Sequence, residues 1–148
     1  MNGSNEDPLG KGTFVGLTAF HNKKHMLRAV YEGITHVKKL LKNCNVPKSI
    51  RLSGGAANSD VWVQIFADTL QIPIDVIENK EFGAQVAAMA AGIAVRIYEN
   101  YQEAVARTVK ITKTIEPRPE YKEICEEKYA TYRAVIDSMS SVWSRFKN

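Results

Sequence analysis

The chain has 148 residues, of which 45% are hydrophobic and 24% charged, and its formal net charge is +4. This composition predicts a folded domain with its own core and argues against disorder. No apolar run reaches the ~20 residues of a membrane span, and the basic residues are scattered, so we expect neither a membrane nor a nucleic-acid partner. The two cysteines, Cys44 and Cys125, have no metal-type spacing, which predicts reduced thiols in a cytoplasmic protein.

The first third of the chain predicts a tail, one long helix and a strand. Residues 1–12 have loop composition, and Asn22 is a suitable N-cap for a helix running to about Lys42. Pro47 precedes a short strand, residues 49–52. The apolar residues of the helix recur at three-and-four spacing and predict one buried stripe, made of Met26, Ala29, Val30, Gly33, Ile34, Val37, Leu40 and Leu41.

The rest of the chain predicts four further helices and a second strand. In order, they are a helix at residues 59–70, a strand at 74–77, a helix at 81–98 with alanine or glycine at most inward positions, a short helix at 100–109, a break at 114–121 and a long last helix. Alternating strands and helices indicate an α/β fold with short parallel strands flanked by helices. Two strands are too few for a stable parallel sheet, so the chain pairs with a copy of itself or is half of a larger domain.

The stretch "SGGAANS", residues 53–59, lies between the first strand and the next helix. Glycine permits positive φ and lets a ligand approach the main chain, and a helix N-terminus attracts phosphate oxygens. Asn58 or Ser59 is expected to cap the helix or to bond a ligand. The pattern matches neither GxGxxG nor a P-loop, so a purely structural turn and a nucleotide contact both remain open.

Other polar residues give no site. The three histidines, His21, His25 and His36, have no spacing with carboxylates or cysteines that indicates a metal site. Asp68 lies on a helix and Asp75 within a strand, and nothing in the sequence places either beside a charge partner. We therefore assign no catalytic residue and no metal ligand. Close helix packing is the favoured reason for the alanines of residues 81–98.

Three ordered stretches resemble the C-terminal part of the FGGY carbohydrate kinases. "GTFVGLTAFHNKKHMLRAVYEG" resembles the second signature of that family, "SGGAANSDVWVQIFADTL" resembles its glycine loop and following helix, and "EFGAQVAAMAAG" resembles its Glu-x-Gly-Ala segment. The similarity runs from about Gly12 to Phe146. It implies that residues 13–148 form the incomplete second half of a ribonuclease H-like, actin-like ATPase domain.

The resemblance also implies a function. Family members transfer the γ-phosphoryl of ATP to a sugar hydroxyl with Mg²⁺, and here the sugar would be a ketopentose such as xylulose or L-xylulose, bound mostly by segments outside this chain. The loop residues that would contact ATP are Gly54, Gly55, Ala56, Asn58 and Ser59. Ala56 stands where many members have a third glycine, and no residue matches the catalytic aspartate of the family. We therefore expect the chain alone to be inactive as a kinase.

A rival interpretation is a non-catalytic module that associates with itself and whose glycine turn only shapes a corner. An apolar face left uncovered by missing segments would drive such association. Binding of ATP by the chain distinguishes the two interpretations.

Overall fold

The computed structural model describes residues 11–36, 46–77 and 81–146. These residues form five helices and three strands. In chain order they are α1 (Lys23–Thr35), β1 (Ile50–Leu52), α2 (Asp60–Leu70), β2 (Ile74–Ile77), α3 (Phe82–Ala94), α4 (Tyr101–Thr108), β3 (Ile111–Ile115) and α5 (Lys122–Trp143), with 3₁₀ turns at Gly55–Asn58 and Pro119–Tyr121.

The three strands form one mixed sheet in the order β1-β2-β3. β1 runs parallel to β2, with Ile50 opposite Ile74, whereas β3 runs antiparallel to β2, with Ile74 opposite Ile115. The predicted α/β class is confirmed, but a sheet of parallel strands only is wrong. β3 was missed because the break was placed at residues 114–121, although four of the five residues of "ITKTI" are β-branched, as is typical of strands.

The core lies between α2 and one face of this sheet. Ile74 and Val63 are fully buried there, because β2 is the central strand and α2 lies against it. The other buried members are Ala67, Leu70, Ile72 and Val76, and Ile50, Leu52, Ala57, Phe66 and Ile115 pack around them. Apolar burial of this kind is the main favourable term in folding.

Helix α1 begins as predicted. The Asn22 side chain accepts a hydrogen bond from the backbone of Lys24 at 3.0 Å, and His25 Nδ1 accepts one from the backbone of Asn22 at 3.2 Å, which completes a capping box. The helix ends at Thr35. The predicted end near Lys42 and the stripe residues Val37, Leu40 and Leu41 lie outside the described residues.

The predicted buried stripe of α1 is only partly correct. Met26 and Ile34 are exposed, and within the described helix Thr35 is the one buried residue. The helix contacts α2 instead through an aromatic stack of Tyr31 on Trp62, with ring centroids 4.5 Å apart. Glu32 also links it to α5, because it accepts a hydrogen bond from Lys128 of α5 at 2.9 Å. A second hydrogen bond to Glu32 comes from Arg28 of α1 itself, at 2.8 Å.

Helix α3 differs from its prediction in length and in orientation. It ends at Ala94, four residues before the predicted end, because Arg96 adopts a positive φ of 63° and the N–H of Ile97 bonds to the carbonyl of Gly92 at 2.8 Å. Only Met89 and Gly92 are buried in it. The alanines predicted to point inward are mostly exposed, so close packing of this face is not present within the described residues.

Candidate nucleotide-binding turn

The glycine turn joins β1 to α2 at the surface. Gly54 has φ 80° and ψ −160°, a conformation that residues with a Cβ rarely adopt. Two backbone hydrogen bonds shape the turn, from Ala57 N–H to the Gly54 carbonyl at 3.0 Å and from Ser59 N–H to the Ala56 carbonyl at 3.2 Å. The backbone conformation of the turn therefore favours glycine at position 54.

The turn has one inward and one outward side. Ala57 packs against the core and anchors the turn to α2 and the sheet. Gly54 and Gly55 are exposed, and a Cβ built at either would meet no heavy atom of the described residues within 4 Å. The outward side is thus bare backbone facing open space, as a turn that touches a ligand through its main chain requires.

The first turn of α2 follows directly. Of the two predicted caps, Ser59 performs this role, since its Oγ accepts from the N–H of Trp62 at 3.4 Å, whereas Asn58 is exposed at the end of the 3₁₀ turn. The N–H of Val63 bonds to the Ser59 carbonyl at 2.9 Å. The N–H groups of Asp60 and Val61 therefore have no acceptor within the helix, and the partial positive charge of the helix end is directed outward.

Two spaces adjoin this corner. A cavity of about 160 Å³ lies on the α3 side of the sheet, where Arg51 and Ser53 of the β1 region face Phe82 and Val86 of α3. A larger groove of about 470 Å³ lies between α1 and α2 and includes Asp60 at the start of α2. Ser53 lines the first space and Asp60 the second, and these two residues flank the turn on either side.

An acidic side chain lies at the N-terminus of α2. Asp60 is the first residue of the helix, its side chain is 77% exposed, and it forms an ion pair with Lys113 Nζ. Lys113 belongs to β3, 53 residues further along the chain. The sequence prediction did not find this pair, because β3 itself was not predicted.

Asp68 is the centre of a hydrogen-bond network at the C-terminal half of α2. It accepts bonds from Arg118 Nη2 at 2.6 Å, from the Arg118 backbone at 2.9 Å and from Gln64 Nε2 at 2.9 Å. Burial by itself raises the pKa of Asp68, but the hydrogen bonds from Arg118 and Gln64 outweigh it and hold the pKa below its usual value. Asp68 thus fastens the proline-rich segment 116–119 to α2.

Asp75 is also engaged within the fold. Thr114 Oγ1 donates to it at 2.6 Å and Ser49 Oγ at 2.7 Å, and these two hydrogen bonds lower its pKa. They connect the three segments that carry β1, β2 and β3. Asp68 and Asp75 were not assigned a chemical role from the sequence, and their bonds are those of structural carboxylates.

Within the described residues, no group of three or more histidine, cysteine, aspartate or glutamate side chains could hold a metal ion. Among the helices the structure describes, none is both long enough and apolar enough to cross a lipid bilayer.

Comparison with known proteins identifies the family. Residues 2–95 match the model of the C-terminal domain of the FGGY family of carbohydrate kinases. The chain is 30% identical to the L-xylulose/3-keto-L-gulonate kinase of Escherichia coli over 150 residues, which cover 98% of this chain and 30% of that enzyme. It is 33% identical to the glycerol kinase of Herminiimonas arsenicoxydans over 135 residues, 87% of this chain and 27% of that enzyme.

Comparison with solved structures gives the same family. The gluconate kinase and the ligand-bound xylulose kinase from Lactobacillus acidophilus each superpose with a TM-score of 0.84 at 27% identity. Each match covers 95% of this chain and 30% of the solved chain. The chain therefore spans about 30% of the length of these relatives. In sequence and in fold, the chain belongs to the FGGY family of carbohydrate kinases.

Proposed function

We propose that this chain is the ATP-binding C-terminal part of a kinase that transfers the γ-phosphoryl of ATP to a sugar hydroxyl. The residues facing the nucleotide are Gly54, Gly55, Ala56, Asn58 and Ser59. The observation that carries the proposal is the exposed main chain of Gly54 and Gly55 before the N-terminus of α2, where no heavy atom of the described residues lies within 4 Å of either Cβ position. Phosphate oxygens bind well at such helix N-termini.

The proposed sugar is a ketopentose such as xylulose or L-xylulose. Support comes from the relatives, one named an L-xylulose/3-keto-L-gulonate kinase and others named xylulose kinases. Contacts to the sugar are assigned to segments beyond the 148 residues. In this proposal, residues 1–12 are a tail, and residues 13–148 are the incomplete second half of a ribonuclease H-like domain in a cytoplasmic enzyme.

The proposed phosphoryl transfer needs more than a nucleotide-binding turn. Phosphoryl transfer depends on positioning, on Mg²⁺ and on a base for the attacking hydroxyl. Mg²⁺ is usually held by substrate phosphates and one or two carboxylates, and it would arrive with ATP. Asp68 and Asp75 are occupied within the fold, so we assign neither as the base. We expect the 148-residue chain alone to bind ATP without phosphorylating xylulose.

Isothermal titration with ATP, in the presence and absence of Mg²⁺, tests the site. We expect Gly55→Leu to abolish ATP binding, because its side chain would fill the open space while leaving the fold intact. Gly12→Leu is a matched control, since Gly12 is also exposed and, in the part of the chain that the structure describes, no heavy atom lies within 4 Å of its Cβ position. Absence of ATP binding to the wild-type chain, or equal binding by Gly55→Leu, would refute the proposed site.

The alternative function is a self-associating module without a nucleotide. It is favoured by the exposed apolar side chains outside the core, among them Phe20, which is 93% exposed, and Ile97. Sedimentation equilibrium run beside the titration separates the two functions. A stable dimer that binds no ATP would support the module, whereas ATP binding supports the kinase assignment.

A further inference from the structure

The ion pair between Asp60 and Lys113 lies where the proposed nucleotide phosphates would bind. Asp60 follows Ser59, the last residue of the turn, and its carboxylate belongs to the first turn of α2. A carboxylate there interacts favourably with the helix dipole when the site is empty. The same charge would repel the phosphates of a bound nucleotide at this helix end.

Lys113 compensates this charge. Its Nζ is paired with the Asp60 carboxylate in the described structure, and the pair joins β3 to the start of α2. The lysine lies opposite Val76 on the neighbouring strand, so the sheet register holds its backbone in place beside α2. The other cations that line the adjoining groove include Arg28, which is paired with Glu32, Arg118, which is paired with Asp68, and Lys24 of α1.

We infer that Asp60 and Lys113 are positioning residues that set the affinity of the turn for the charged part of the nucleotide. Lys113 neutralises Asp60 and so permits phosphate oxygens to approach the N–H groups of the first turn. The inference rests on the proposed nucleotide site. It predicts an effect on ATP that adenosine, which lacks phosphates, does not share.

The test compares ATP and adenosine binding in single and double variants. At low ionic strength, we expect Asp60→Asn to strengthen ATP binding and Lys113→Ala to weaken it, each by about three- to tenfold, with adenosine binding unchanged. At about 1 M salt, where the Debye length is about 3 Å, both effects should largely disappear. Lys113→Arg should retain the wild-type affinity, because it keeps the positive charge.

A double variant tests whether charge neutralisation sets the affinity. The Coulomb interactions of the two side chains with the phosphates add, so the gain from Asp60→Asn and the loss from Lys113→Ala should cancel, and the double variant should bind ATP with nearly the wild-type affinity. A double variant that binds ATP as weakly as Lys113→Ala alone would show that the Asp60 charge does not act on the phosphates, and would overturn the inference.

Charge-matched controls come from exposed pairs elsewhere. Arg107→Ala on α4 removes one positive charge as Lys113→Ala does, and Asp137→Asn on α5 removes one negative charge as Asp60→Asn does. Equal effects of the controls, or parallel changes in adenosine binding, would overturn the inference while leaving the ATP site standing. A wild-type chain that binds neither ligand would refute the site and the inference together. Circular dichroism and thermal melting of each variant verify that it is folded.

Discussion

The two sides of the glycine turn differ in what covers them. On the inner side, Val63, Ala67 and Ile74 are fully buried between α2 and the sheet, and Asp68 and Asp75 are satisfied by hydrogen bonds from other segments. On the outer side, Gly54 and Gly55 are exposed. The buried packing of the inner side holds the start of α2 in place, and the exposure of the outer side leaves the main chain of the turn accessible. A site that binds through its backbone needs both.

The largest expected effect is on the inner side. Ile74→Ala should lower the free energy of unfolding by about 3 kcal/mol, because it leaves a cavity at a fully buried position of the central strand. Val95→Ala, at a residue that is 68% exposed, should change it by less than about 0.5 kcal/mol. Urea unfolding of both variants measures the difference, and similar losses would contradict the core assignment.

Removal of a carboxylate from the polar network of the inner side should lower the free energy of unfolding by a smaller amount, and this amount should depend on pH. Asp68→Ala should cost about 2 kcal/mol at neutral pH, because hydrogen bonds to a charged group are lost and the buried groups of the segment lose their acceptor. This is below the cost of breaking a fully buried pair, since the Arg118 side chain is 43% exposed.

The pH dependence follows from the direction of the pKa shifts. The pKa values of Asp68 and Asp75 are lowered in the folded state, so their stabilisation is complete above the unfolded pKa of about 4 and is lost as the pH falls through the lower folded values. Urea unfolding between neutral pH and about pH 3 should therefore show decreasing stability, with a shallower decrease in Asp68→Ala. An identical slope in that variant would contradict the assignment.

The smallest effect on stability is expected at the turn, where substitution of two neighbouring glycines should give different losses. Gly54→Ala should destabilise by about 1 kcal/mol, because φ 80° is unfavourable for a residue with a Cβ. Gly55 has no positive φ, and no heavy atom among residues 11–36, 46–77 and 81–146 lies within 4 Å of its Cβ position, so Gly55→Ala should leave stability nearly unchanged. Thermal melts of the two variants test this, and equal losses would show that the turn is constrained as a whole.

Local pattern alone determined much of this protein. The three-and-four spacing of apolar residues and the cap residues Asn22 and Ser59 predicted the starts of α1 and α2, because capping and amphipathicity act within one turn of chain. The glycine turn and the family resemblance were also present in the order of residues, since backbone freedom at Gly54 requires no distant partner.

Tertiary structure decided the rest. Pairing of β3 with β2, burial of Asp68 against Arg118 and the ion pair of Asp60 with Lys113 join residues about 40 to 50 positions apart, and no local pattern encodes such distances. The exposure of α3 is also a tertiary outcome, because a helix of alanines can pack on either side. Interactions between residues close in sequence determine the helices, strands and turns. Only the packing of distant segments determines which charges and which backbone groups meet at the site.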